Sequence, residues 1–211
     1  MTTVDASNPH YVGDFGDERL AAVGADLLRA LEEKRTVVVK RLGGTRAEEI
    51  RYGRFLKNEN VTHQEILEVE GRRVGKCAKG RDVLAIQDTT EVNFSGHTGS
   101  KKGFGTVGNG EDIGLFLHPQ LVLDAESGGM LGLAGCTIMN RRRHVKTPSN
   151  ERHPEKRESR RWLEGMELVG RVLKDAACIT MVADRESDIY EAYAKCPANV
   201  HLLHVPLRIV V

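Results

Sequence analysis

Two stretches of this chain end an apolar run on a carboxylate, and these are the residues with chemistry to offer. In Val83-Leu84-Ala85-Ile86-Gln87-Asp88-Thr89-Thr90-Glu91 a short apolar segment, preceded by Gly80-Arg81-Asp82, leads to Asp88. Cys178-Ile179-Thr180-Met181-Val182-Ala183-Asp184-Arg185-Glu186-Ser187-Asp188-Ile189-Tyr190 repeats the design, with Asp184 in the same place. Apolar runs of this length read as buried strands. A desolvated carboxylate at a strand end costs several kcal/mol unless a cation or donor meets it. Two such acids about 4 Å apart repel by roughly 4 kcal/mol at an effective dielectric near 20. They are tolerated together when one takes a proton or a divalent cation bridges them. Oxygen-only ligands favour magnesium, or manganese, over zinc. Each acid also has a plainer reading, Asp88 as a strand-end turn residue and Asp184 as a helix N-cap. On neighbouring strands the metal reading accounts for both together.

The elements that would position them follow from periodicity. Leu20, Val23, Gly24, Leu27, Leu28 and Leu31 predict a helix from Asp17 to about Arg35. Thr45-Arg46-Ala47-Glu48 and Thr62-His63-Gln64-Glu65 read as capping boxes that open helices to about Lys57 and about Cys77. After the first acidic strand, Ser95 to Asp112 carries six glycines and predicts a mobile loop without a phosphate-cradle motif. Leu115–Leu123 and Met130–Met139 predict strands joined by a turn at Asp124-Ala125-Glu126-Ser127-Gly128-Gly129. Helices are expected from Glu155 to about Asp175 and from Ser187 to about Lys195, with strands at Cys178 and from Val200 to about Val205. The order β-β-β-α-β-α-β implies an α/β domain with a mixed sheet covered by helices, the strand order of the ribonuclease-H-like fold. A small helical domain would precede it. The expected organisation is residues 1–79 helical, 80–205 the acid-bearing core, and 206–211 a divergent tail.

Composition bounds the rest. The chain has 211 residues, 40% hydrophobic and 29% charged, with net charge +1. It has no run of about 18 apolar residues and no signal-peptide pattern at Met1-Thr2-Thr3-Val4-Asp5, which predicts a cytoplasmic protein. Cys77, Cys136, Cys178 and Cys196 are scattered without a C-x-x-C pair and are expected to be buried free thiols. The positive charge is concentrated. Between Asn140 and Arg161 nine basic residues, among them Arg141, Arg142, Arg143, Arg160 and Arg161, face three acids, a local charge of +6. Such a density fits a nucleic-acid backbone. Arg46, Arg51, Arg54 and Lys57 on the N-terminal helices, and Arg185 beside the second acid, are further candidate DNA contacts, with a solvated charged face as the alternative. His118 could face the site or serve as a hydrogen-bonded core histidine. Trp162 fits the core better than base stacking.

At Asp88-Thr89-Thr90 and Asp184-Arg185-Glu186-Ser187-Asp188-Ile189-Tyr190 the chain resembles the DDE cut-and-paste transposases of bacterial insertion sequences. The group is the one that contains the transposase of the kanamycin-resistance composite transposon. Tyr52-Gly53-Arg54-Phe55-Leu56-Lys57-Asn58-Glu59-Asn60-Val61 is similar to that group's DNA-binding helices, and Glu158-Ser159-Arg160-Arg161-Trp162-Leu163 to its helix after the hairpin. The resemblance runs from about Gly13 to Leu203. It implies that Asp88 and Asp184 are the first two metal-binding acids. It also implies magnesium-dependent nicking and strand transfer on double-stranded DNA, by dimers on paired transposon ends. The family's third acid lies in a Y-x-x-R-x-x-x-E pattern that occurs nowhere in these 211 residues. A truncated or frameshifted copy, inactive alone, is therefore expected. A DNA-binding remnant or inhibitor of transposition is the alternative, and a metal nuclease of the same fold is a third.

Overall fold

The computed structural model describes residues 8–94, 103–108, 111–140, 160–198 and 200–204. The chain divides into two compact units, Met1–Glu70 and Gly71–Val211. The division falls within the helix His63–Cys77.

The first unit is helical. Helix α1 (Glu18–Lys34) starts where Asp17 accepts a hydrogen bond from the Arg19 amide, and ends on Arg35 in the left-handed region (φ 47°, ψ 43°). A four-residue helix α2 (Val39–Leu42), not foreshadowed by any apolar period, follows it. Helix α3 (Arg46–Leu56) opens on the expected capping box, with Thr45 accepting from the Glu48 amide and Glu48 reaching back to the Thr45 amide. Helix α4 (His63–Cys77) begins after Thr62, whose hydroxyl accepts from the Glu65 amide at 3.3 Å. Phe15, Leu27, Ala30, Leu42, Tyr52 and Phe55 form the unit's core. Within it Phe15 and Phe55 meet edge to face at 5.5 Å.

The second unit is an α/β layer built on a mixed seven-stranded sheet. Its strands are β1 (Asp82–Gln87), β2 (Thr90–Asn93), β3 (Gly105–Val107), β4 (Asp112–Asp124), β5 (Met130–Met139), β6 (Cys178–Ala183) and β7 (Val200–His204). The sequence suggested five strands. The two extra short ones lie on β4, β3 within the glycine-rich stretch expected to be loop. Strand β4 pairs antiparallel with β1 and β5, whereas β1, β6 and β7 run parallel. Leu117 of β4 pairs with Thr90 of β2 and also with Ile138 of β5, so β2 lies on the same edge of β4 as β1. Gln87 faces Gln120 and Thr90 faces Leu117, so β1 and β2 keep one register and are a single strand interrupted at Asp88-Thr89. That register puts Pro119 opposite Asp88. Proline has no N–H to give a ladder, and the pairing lapses there.

Helices α5 (Arg160–Val172) and α6 (Tyr190–Ala194) accompany the sheet, with a 3-10 turn at Arg185–Ser187 between β6 and α6. The single helix expected from Ser187 to Lys195 is thus split. Ile189 is extended (φ -121°, ψ 135°) and offers no side-chain cap, which separates the two pieces. Alternation along β1 and β6 turns Val83, Ala85, Ile179 and Met181 inward, where they pack with Val122, Met166, Val169 and Leu173. Among the described residues no helix is long and apolar enough to cross a membrane. The four cysteines are free thiols, as expected, but none is buried: Cys77 is exposed and Cys136, Cys178 and Cys196 are half-buried.

Candidate acidic strand-end site

The site forms where β1 and β6 end together. These strands are parallel neighbours, with Ile86 facing Val182 as their last ladder pair. Asp88 and Asp184 each follow two residues after that last pair, just past the ends of their strands. Each carboxylate is oriented by an amide of its own turn. Thr89 N–H donates to Asp88 Oδ1 at 2.6 Å, and Glu186 N–H donates to Asp184 Oδ1 at 2.9 Å. Asp184 thereby also caps the 3-10 turn, so its capping and site readings are compatible. Asp88 is exposed and Asp184 half-buried.

Beneath the two acids lies a buried polar network. His118 and Gln120 on β4 are fully buried, and Gln87 on β1 is nearly so. The Thr89 hydroxyl lies 2.9 Å from His118 Nδ1, and His118 Nε2 lies 3.3 Å from Gln87 Oε1. Arg161 Nε donates to the same Thr89 hydroxyl at 2.9 Å. A neutral imidazole protonated on Nε2 matches these contacts, donating to the Gln87 carbonyl oxygen and accepting the Thr89 hydroxyl proton on Nδ1. The electrostatics agree. Burial, then the Arg161 guanidinium, hold His118 down at about 4 from the usual 6.5, while the Asp88 backbone carbonyl and the Asp184 charge partly oppose them. Trp162 closes the network with its ring edge-on to His118 at 4.6 Å. Of the two readings offered for His118, the structure selects the core histidine, and Trp162, 1% exposed, is core as expected.

Gly165 lets α5 approach this network. A Cβ there would stand 2.5 Å from Gln87 Oε1 and 2.8 Å from Gln120 Nε2. Gly165→Ala is expected to destabilise the fold by about 1–3 kcal/mol through overpacking, despite alanine's helix preference of about 1 kcal/mol over glycine. Urea unfolding measures this. A stabilised variant would mean that the two glutamines move aside freely.

The candidate DNA contacts fall into three groups. On α3 and its C-cap, Arg46, Ile50, Arg54 and Lys57 recur at helical spacing and are exposed, opposite the buried Tyr52 and Phe55. Arg46 pairs with Glu49 at 2.7 Å, and Arg51 pairs with Asp26 at 3.1 Å and lies over the Tyr52 ring. In the second unit Arg185 is exposed at the site, and Arg160, also exposed, pairs with Glu164 at 2.7 Å. The Arg161 side chain is largely buried, at 12% exposed, and it also donates to Glu186 Oε2 at 3.0 Å. Burial beside Trp162 and two acceptors turn it inward. Arg141, Arg142 and Arg143 lie outside the described residues.

As a cation site, Asp88 and Asp184 supply hard oxygen donors from two in-register strand ends. That fits one magnesium or manganese ion, which commonly takes one or two carboxylates and completes its shell with water and phosphate. Among the described residues no group of three or more His, Cys, Asp or Glu side chains could hold a metal ion. The set therefore falls short of a two-ion centre. Sequence reasoning pointed to both strand-end acids as candidates but not to the buried Gln87 and Gln120. The period-two alternation that turns Val83, Ala85 and Val122 inward carries both glutamines with it, and that was the available signal.

Compared with known proteins, the chain matches no protein-family model and no curated protein.

Proposed function

We propose that this chain is a DNA-binding protein of the DDE transposase type, with a ribonuclease-H-like core whose Asp88 and Asp184 form the acid pair of a phosphodiester-cleaving centre. The observation that supports the reading is that these acids directly follow the ends of two adjacent parallel strands, each two residues beyond their last ladder pair. Around them the strand sequence β5-β4-β1-β6-β7, with β4 antiparallel to its neighbours, matches the arrangement expected of that fold. A divalent cation held by Asp88 and Asp184 would supply Lewis-acid stabilisation of charge on the phosphodiester. The exposed cations Arg46 and Arg54 on α3, Lys57 at its C-cap and Arg185 at the site would meet backbone phosphates, which orient a duplex without reading its sequence.

A second reading, DNA binding without chemistry, is favoured by the shortage of acids among the described residues. One set of measurements separates the two. The purified chain should retard duplex DNA, with affinity falling as salt rises because each phosphate contact releases counterions. It should also bind Mn2+ in a way that Asp88→Ala and Asp184→Ala abolish. Metal-dependent nicking that Asp88→Ala removes supports the catalytic reading. DNA retention without nicking at any Mg2+ or Mn2+ concentration supports the binding reading, and failure to bind duplex DNA at low salt sinks both.

A further inference from the structure

The ladder between β1 and β6 stops at Ile86 and Val182, so it does not by itself fix the spacing of the two carboxylates beyond it. On the other side, Pro119 opposite Asp88 withholds a backbone donor. What spans the gap is a side chain. Arg161 Nε donates to Thr89 Oγ1 at 2.9 Å, and its Nη2 donates to Glu186 Oε2 at 3.0 Å. Thr89 and Glu186 are the residues whose amides hold Asp88 and Asp184, at 2.6 Å and 2.9 Å. One guanidinium therefore ends, on each arm, at the residue that orients one acid.

The chemistry of arginine suits that task. Its donors form a rigid planar fork that stays charged, whereas a lysine is a compact point charge on a flexible stem. With 12% of its side chain exposed, Arg161 is a largely buried cation, and such a charge is stable when its donors are satisfied. Its guanidinium lies 5.3 Å from the centre of the Trp162 ring.

We infer that Arg161 is a positioning residue that locks the Asp88 turn and the Asp184 turn to each other through Thr89 and Glu186. Its consequence for the acids rests on the phosphodiester-cleaving reading, while the clamp itself stands without it. The clamp lets α5 set the spacing of two carboxylates that neither strand fixes alone. It predicts that the two turns, remote in sequence, loosen together.

Amide hydrogen exchange on the full chain tests this directly. Arg161→Met keeps an aliphatic stem and removes the donors, and Arg161→Lys keeps the charge and removes the fork. In both, the Thr89 and Glu186 amides should exchange about tenfold faster or more, the scale of one lost charge-assisted hydrogen bond. The ladder amides of Val122 and Met181 should not change. Glu186→Ala removes an exposed carboxylate and leaves the fold standing, so it isolates one arm. The clamp requires that it too speed exchange at Thr89, on the other turn. Unchanged Thr89 exchange in Glu186→Ala, or unchanged exchange at both amides in Arg161→Met, overturns the inference. Mn2+ titration runs beside it, with affinity expected to fall about tenfold in Arg161→Lys. If the unmodified chain binds no Mn2+, the cleavage reading fails, and the exchange data still decide the clamp.

Discussion

Trp162→Ala should cost about 3–5 kcal/mol of stability, the range for deleting a buried large aromatic side chain. The indole is 1% exposed and lies edge-on to His118 at 4.6 Å, so its loss leaves a void beside a buried polar group as well as an apolar one. Gln87, Met166, Met181, Ala183 and Leu202 line the same small pocket as Trp162. Water admitted there would hydrate His118 and move its pKa from about 4 back toward 6.5. Two measurements follow. The urea midpoint should fall strongly, and an NMR titration of the surviving fold should show the His118 ring protonating at higher pH. Trp162→Phe, which keeps much of the packing and the ring edge, should lose clearly less. A Trp162→Ala chain within about 1 kcal/mol of the original would mean that the indole is not part of a close-packed core.

The acids stood out in the sequence because each follows an apolar run, and the end of a strand delivers the next residue to the end of the sheet. The helix starts were legible for an equally local reason. Asp17, Thr45 and Thr62 are caps, and a cap acts within three residues of itself. The interruption at Asp88-Thr89 was not legible, since it depends on Pro119 lying opposite in a register that only the folded sheet sets. The inward turn of the Arg161 side chain was not legible for a related reason. In the sequence this arginine belongs to a run of cations, and net charge averages over every face of a segment. Its spacing of four from Gly165, on the same side of α5, was the clue to its inward direction.

Acidification should weaken the fold in two separable steps, and the first belongs to His118. Above pH 6.5 the imidazole is neutral in both the folded and the unfolded chain, and the stability associated with it is complete. Between pH 6.5 and about 4 the unfolded chain takes up a proton that the folded chain refuses. Stability must then fall as pH falls, by at most about 1.4 kcal/mol per pH unit from this group. Below about 4 both states are protonated and His118 contributes no further slope. The second step belongs to Asp124 at the turn between β4 and β5. The Ser127 amide, the Arg81 guanidinium and the Ser127 hydroxyl hold its pKa down at about 2 from 3.8. Its contribution is present above 3.8 and lost as pH drops through about 2. Urea midpoints measured from pH 7 to pH 4 for the original chain and for His118→Gln should converge as pH falls. Glutamine can accept from Thr89 and donate to Gln87 but does not titrate. Parallel curves would show that His118 is not held neutral, and that Arg161 and the indole do not shield it as the geometry requires.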